Sequence, residues 1–147
     1  SQYKIHLMPK WKDLPNTIMK LFETIKKNSQ LQNAIGHMKC SVLNIDLTDN
    51  YGQVVPRIVI YAADGKENAQ LILDTVYALF KNQEGAGQTP RFNQKVNDLI
   101  YFAQGDADVK MRLEDKFLET KEKIYFNPNM IPSGAHDGYH LRIPSDS

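Results

Sequence analysis

Alternation of apolar and polar residues marks the beginning of the chain as a β-strand. Tyr3, Ile5 and Leu7 fall on one face of an extended segment. Lys4 and His6 fall on the other, because successive side chains of a strand point to opposite faces. These two groups then lie about 7 Å apart, twice the rise per residue of a strand. The pattern predicts an apolar face and a face with two potential proton-transfer groups, although a solvated sheet edge would show the same alternation.

Two later segments have the same character. Residues 37–43 return to an extended pattern in which Lys39 lies on the polar side. Residues 57–62 are the most strand-like in the chain, because β-branched and aromatic side chains dominate them. In that register Arg57, Val59 and Tyr61 project from one face and Ile58, Ile60 and Ala62 from the other. We therefore expect three strands that each carry basic or phenolic groups on one side.

Apolar residues at intervals of three and four predict helices elsewhere. The strongest stripe covers residues 67–81 and is expected to face the core. The other predicted elements are helices over residues 13–27, 92–102 and 106–123 and a short strand over 139–143, with residues 28–36, 44–53 and 82–90 as polar connections. Because the second and third strands follow one another without a helix between them, antiparallel pairing is favoured. The predicted fold is α+β, a small and mostly antiparallel sheet packed with amphipathic helices.

Length and composition indicate one globular domain over residues 1–147. The chain is 41% hydrophobic and 24% charged, and its formal net charge is +1. This charge argues against nucleic acid as a partner, since a broad basic face would be needed to hold it. No apolar run is long enough for a transmembrane segment. Cys40 is the only cysteine, so neither an internal disulfide nor a cysteine-based metal site is expected.

Cofactor and metal motifs are missing from the sequence. Histidines 6, 37, 136 and 140 have none of the spacings typical of metal ligands. The glycines at 85 and 87 have neither a preceding strand nor a following Lys-Ser or Lys-Thr pair, as a phosphate cradle would require. We therefore expect no metal and no cofactor.

Basic groups on strands remain as candidate chemistry. If the three predicted strands are neighbours, Lys4, His6, Lys39 and Arg57 can converge on one face with Tyr61 beside them. Such a set suits a phosphate dianion, since arginine offers a planar fork of donors and lysine a compact charge. A plain solvated sheet face is the alternative, and the spacing alone does not decide between them.

The order of these residues resembles a known family, the phosphothreonine lyases that bacterial pathogens inject into host cells. Members have a Lys-x-His strand, then a strand with a lysine, then a basic residue that leads into an aliphatic and aromatic strand followed by a helix. Lys4-Ile5-His6, Lys39 and Arg57-Ile58-Val59-Ile60-Tyr61 match that order, and Lys66-Glu67-Asn68-Ala69-Gln70 lies in the helix that follows. The resemblance covers roughly the first 85 residues.

The resemblance implies a β-elimination of phosphate from a phosphorylated residue. Carried across, Lys4 is the base and His6 the acid, while Lys39 and Arg57 bind phosphate and Tyr61 supports the site. A further arginine is expected to clamp the phosphate, and among Arg91, Arg112 and Arg142 we favour Arg91 because it directly precedes a predicted helix.

The family also implies a cellular setting. The chain would be a domain of a secreted bacterial effector, excised from a longer protein, that acts in the host cytoplasm or at host membranes. Its partner would be a phosphorylated host protein or an anionic lipid headgroup. A related fold can keep the phosphate-binding face and lose the chemistry, so a non-catalytic module that binds a phosphoinositide headgroup or a phosphopeptide is the alternative function.

Overall fold

The structure is a computed structural model and describes residues 3–41, 54–88, 93–104 and 141–146. Its strands are β1 (Tyr3–Leu7), β2 (Ile35–Cys40), β3 (Ile58–Ala62), β4 (Gln94–Lys95) and β5 (Ile100–Gln104). Its helices are α1 (Leu14–Lys26), α2 (Ser29–Ala34) and α3 (Lys66–Phe80), and a 3-10 turn at Trp11–Asp13 precedes α1.

The strands form one antiparallel sheet. Their order is β2-β3-β1-β5-β4, and every pairing between neighbours in this order is antiparallel. The first strand of the chain thus lies in the middle of the sheet, between β3 and β5. The α+β class and the antiparallel pairing predicted from the sequence are confirmed.

The helices pack against one face of the sheet. Ile5, Ile60 and Phe102 point from three adjacent strands into a core that also holds Leu21 of α1 and Leu73 of α3. All five are fully buried, with at most 1% of their surface exposed. The alternation predicted for the first three strands is therefore confirmed, and the polar positions of those strands lie on the face away from this core.

The predicted helix over residues 92–102 is wrong, because β4 lies within the segment and β5 begins in it at Ile100. Between these strands the side chain of Asn97 accepts hydrogen bonds from the backbone amides of Leu99 and Ile100 at 2.9 and 2.8 Å. This turn reverses the chain and leads into β5. Both faces of β5 are buried from Ile100 to Ala103, so the strand lacks the alternation that would have identified it.

The helix predicted over residues 13–27 is confirmed by α1 and the one over 67–81 by α3. Within the predicted connection 28–36, residues 29–34 form α2, whose first turn is capped by Asn28, since its side chain accepts from the amide of Leu31 at 3.0 Å. Residues 141–146 contain no strand, which corrects the C-terminal half of the strand predicted over 139–143. The predicted loop 44–53 and helix 106–123 lie outside the described residues.

Candidate functional site

The register of the central strands brings the predicted groups onto one face. Lys4 of β1 lies opposite Tyr61 of β3, and Tyr61 lies opposite His37 of β2. One pair further along, Val59 lies between His6 and Lys39. The face is exposed at β2 and becomes buried towards β1, where His6 is only 6% exposed.

Tyr61 is the centre of a basic cluster on this face. The imidazole of His37 stacks on its ring, with centroids 4.0 Å apart and planes 13° from parallel. The Nζ atoms of Lys39 and Lys4 lie 5.4 and 5.8 Å from the centre of the same ring, within cation-π range. The phenol thus gathers two ammonium groups and an imidazole from the two strands that flank β3, and we call these four residues the Tyr61 cluster.

The Tyr61 cluster is suited to an anion. Each lysine offers three N–H donors and a full charge, and the half-exposed tyrosine offers a hydroxyl. Since Lys39 and His37 are exposed, a ligand can reach them from solvent. A tetrahedral dianion such as phosphate has the charge and the acceptors to engage several of these groups at once.

His6 is the buried end of the same face. Its Nδ1 lies 2.6 Å from Oδ1 of Asn93, and because an amide oxygen can only accept, Nδ1 carries the hydrogen in this pair. Burial, opposed by the bond to Asn93 and reinforced by the charge of Lys4, lowers the pKa of His6 from 6.5 to about 4. The imidazole is therefore neutral near pH 7, and its Nε2 carries a lone pair.

Arg57 makes two contacts outside the Tyr61 cluster. Its Nη1 donates to the carbonyl of Pro9 at 2.7 Å, and its guanidinium stacks 3.9 Å from the ring centre of Trp11. Only 4% of the residue is exposed. These contacts tie the start of β3 to the segment after β1, so the structure gives Arg57 a structural role, and its role in binding phosphate stays a prediction.

Arg142, the candidate arginine that lies within the described residues, does not join the cluster. Arg142 lies beside α3, where its Nη2 is 2.7 Å from Oδ2 of Asp74 and its backbone amide donates to Gln70 at 2.8 Å. Because α3 covers the core face of the sheet, Arg142 is on the opposite side from Tyr61. Arg91 and Arg112 lie outside the described residues, and the clamp assigned to Arg91 stays a prediction.

Two residues of this face were missed by the sequence analysis. His37 was recognisable, because alternation in the predicted strand 37–43 puts it on the face of Lys39. Asn93 was not, since its contact with His6 spans 87 positions of the chain and no local pattern marks it. Within residues 3–41, 54–88, 93–104 and 141–146, no group of three His, Cys, Asp or Glu side chains could hold a metal ion.

Cys40 lies on the other face of β2 and packs against the core. Burial raises the pKa of its thiol, which disfavours the nucleophilic thiolate. In the part of the chain that the structure describes, no helix is long and apolar enough to cross a membrane.

Comparisons with protein-family models, with curated proteins and with solved structures found no match to this chain.

Proposed function

We propose that this chain is a phosphate-eliminating lyase that acts on a phosphorylated residue of a host protein. The observation that carries the proposal is the convergence of Lys4, His6, Lys39 and Tyr61 on one face of the sheet. A site for this reaction needs cations for the phosphate, a base for the α-proton and an acid for the leaving oxygen. The face has candidates for all three tasks.

The proposed reaction breaks two bonds and forms one double bond within the substrate. The Nζ of Lys4, after releasing one of its own protons to solvent, takes the proton from the α-carbon, and the electron pair of that C–H bond forms the Cα=Cβ double bond. The Cβ–O bond breaks, and its electrons leave with the phosphate. Lys39 compensates the charge that grows on the leaving group. The products are a didehydro residue and inorganic phosphate, with no water consumed.

His6 supplies a proton to the leaving oxygen only after gaining one itself. In the unliganded protein the imidazole is neutral, because its pKa is lowered to about 4. A phosphate dianion bound nearby stabilises the charged imidazolium and so raises the pKa of His6. Substrate binding would then protonate the imidazole of His6, which the reaction uses as its acid. The role of His6 is therefore compatible with its burial.

A non-catalytic phosphate-recognition module is the second candidate. The exposed part of the face, formed by Lys39 and His37 against Tyr61, offers an anion a positive charge and hydrogen-bond donors without any contribution from His6. A domain with this cluster alone would bind a phosphopeptide or a phosphoinositide headgroup and leave it unchanged.

The proposed setting follows from the family resemblance given above. The chain would have a phosphothreonine lyase-like fold and belong to a secreted bacterial effector that acts in the host cytoplasm or at the surface of host membranes. The five-stranded antiparallel sheet with helices on one face is compatible with this assignment.

Mass spectrometry of phosphothreonine peptides tests the reaction. We expect a product lighter than the substrate by one phosphoric acid, whereas hydrolysis would leave an intact threonine. Lys4→Ala should lower the rate by at least about a hundredfold, the usual contribution of a positioned base. Lys26→Ala, on the helix layer, is the matched control and should retain activity.

The same samples separate the two candidates. A protein that binds the phosphopeptide, loses affinity with Lys39→Glu and releases no phosphate would be the recognition module. If no peptide of a broad panel is bound or converted, and anionic vesicles are not bound either, both candidates are wrong.

A further inference from the structure

We infer that Asn93 is a positioning residue of the site: it holds His6 with the hydrogen on Nδ1 and leaves Nε2 to take up a proton when a dianion binds at the Tyr61 cluster. The first part concerns the free protein. The second part rests on the proposed phosphate site, because it requires an anion on this face.

The geometry fixes the tautomer. A neutral imidazole carries one hydrogen, on Nδ1 or on Nε2. The 2.6 Å contact joins Nδ1 of His6 to the amide oxygen of Asn93, and two acceptors facing each other at this distance would repel. Because His6 is 6% exposed, water cannot readily replace this acceptor. The bond therefore places the hydrogen on Nδ1 and the lone pair on Nε2.

Among the described residues, no negatively charged group faces His6 to stabilise its protonated ring. The titratable and charged groups that face it from the packed strands are Lys4 on β1, Arg57 and Tyr61 on or next to β3, Tyr101 on β5 and Lys95 on β4. Lys95 is itself paired with Asp98, at 2.7 Å. The nearest charge along β1 is the ammonium of Lys4, which disfavours a second cation.

An anion changes this balance. A dianion held by Lys4 and Lys39 would offset their charges and add a negative charge within a few ångströms of the face. An opposite charge at about 4–6 Å typically raises the pKa of a histidine by one to three units. Asn93 already occupies Nδ1, so the proton has to enter at Nε2. Binding of the dianion and protonation of His6 are thus coupled, and each favours the other.

Nitrogen NMR of the free protein tests the tautomer. At neutral pH we expect Nδ1 of His6 to show the shift of a protonated nitrogen and Nε2 that of a bare one. Asn93→Ala should produce a mixture of tautomers, and Asn93→Asp should give a doubly protonated imidazole, since a carboxylate stabilises the charged ring. Asn68→Ala, at a partly buried asparagine of α3, is the control and should change neither signal.

A pH titration in sulfate tests the coupling. Sulfate is a tetrahedral dianion that does not itself titrate near neutral pH, so proton uptake belongs to the protein. Compared with chloride at equal ionic strength, sulfate should raise the titration midpoint of His6 by about one unit or more. The double variant Lys4→Gln/Lys39→Gln should lose this rise.

The outcomes separate this inference from the proposed function. A hydrogen on Nε2 in the free protein, or an Asn93→Ala spectrum identical to that of the wild type, overturns the role of Asn93. A midpoint that is equal in sulfate and chloride, although sulfate shifts the signals of Lys39 and Tyr61, overturns the coupling and leaves the phosphate site standing. Failure to bind either sulfate or phosphopeptides overturns the coupling together with the proposed function, whereas the tautomer is decided independently.

Discussion

At the scale of a single residue, His6 makes the stability of the protein depend on pH. Its pKa is 6.5 in the unfolded chain and about 4 in the folded protein, chiefly because burial disfavours the charged ring. Above pH 6.5 both states hold a neutral imidazole, and His6 contributes no pH dependence. As the pH falls from 6.5 to 4, His6 binds a proton in the unfolded state but not in the folded state, so the free energy of unfolding decreases.

This shift in the pKa of His6 lowers the free energy of unfolding by on the order of 3 kcal/mol, and the loss is complete below about pH 4. We expect His6→Asn to flatten this part of the stability profile, because its amide does not titrate. Urea unfolding of both proteins at a series of pH values between 7 and 4 measures the difference. Equal slopes for the two proteins across this range would show that the pKa of His6 is the same in the folded protein as in the unfolded chain.

At the scale of elements, three strands could be predicted from the sequence because each has one apolar and one polar face. The alternation is visible in β1 and β3 because Lys4, His6 and Tyr61 put polar groups on the face away from the core. It fails for β5, where Tyr101 is as fully buried as its neighbours. A strand buried on both faces has no period of two, and its apolar residues fit a helix equally well.

The candidate site likewise has features that could be predicted from the sequence and features that could not. Its members on the predicted strands could be grouped on one face from register alone. The contacts of Arg57 could not be predicted, because its cation-π contact with Trp11 and its hydrogen bond to Pro9 depend on the path of the chain after β1. Asn93 reaches His6 from β4's side of the sheet, and β4 was within the segment predicted to be helical. The long-range contacts of a side chain can be known only from the tertiary structure, whereas the face of a strand on which a residue lies follows from local alternation.

The segment after α3 provides a test of how the sheet is closed at one end. Gly85 bridges to Pro9, and the amide of Ala86 donates to the carbonyl of Met8 at 2.8 Å. A Cβ at Gly85 would lie 2.1 Å from the carbonyl oxygen of Asp98, far inside van der Waals contact. The segment therefore joins the end of β1 to the β4-β5 turn only because this position has no side chain.

We expect Gly85→Ala to lower the free energy of unfolding by about 1–3 kcal/mol, the usual cost of overpacking. Gly87→Asn is the matched control, because no atom lies within 4 Å of a Cβ there, and asparagine tolerates its positive φ of 73°. Urea denaturation at pH 7 compares the two variants. A Gly85→Ala protein as stable as the control would mean that the segment can move away from Asp98 at no cost.

At the scale of the whole molecule, the sheet separates two surfaces of different character. Helices α1, α2 and α3 cover one face, and the Tyr61 cluster lies on the other. The formal net charge is only +1, so the overall field offers an anion little attraction. Affinity for phosphate must then come from the few cations that touch it, because charges more than about 10 Å away are largely screened at 0.1 M salt.

Two double variants of equal net charge test whether affinity for phosphate comes from the cations of the Tyr61 cluster or from the overall field. Lys4→Gln/Lys39→Gln removes two charges from the site face, and Lys26→Gln/Lys27→Gln removes two exposed charges at the end of α1. Both change the formal net charge from +1 to −1, since 1 − 2 = −1. A lysine near the surface contributes about 1 kcal/mol to an anion in contact, so we expect the first variant to bind a phosphopeptide at least about tenfold more weakly. The second should bind as the wild type does at 0.1 M salt.

Titration calorimetry at that salt concentration measures both affinities. Equal losses of affinity in the two variants would mean that phosphate is attracted by the overall charge of the protein and not by the Tyr61 cluster.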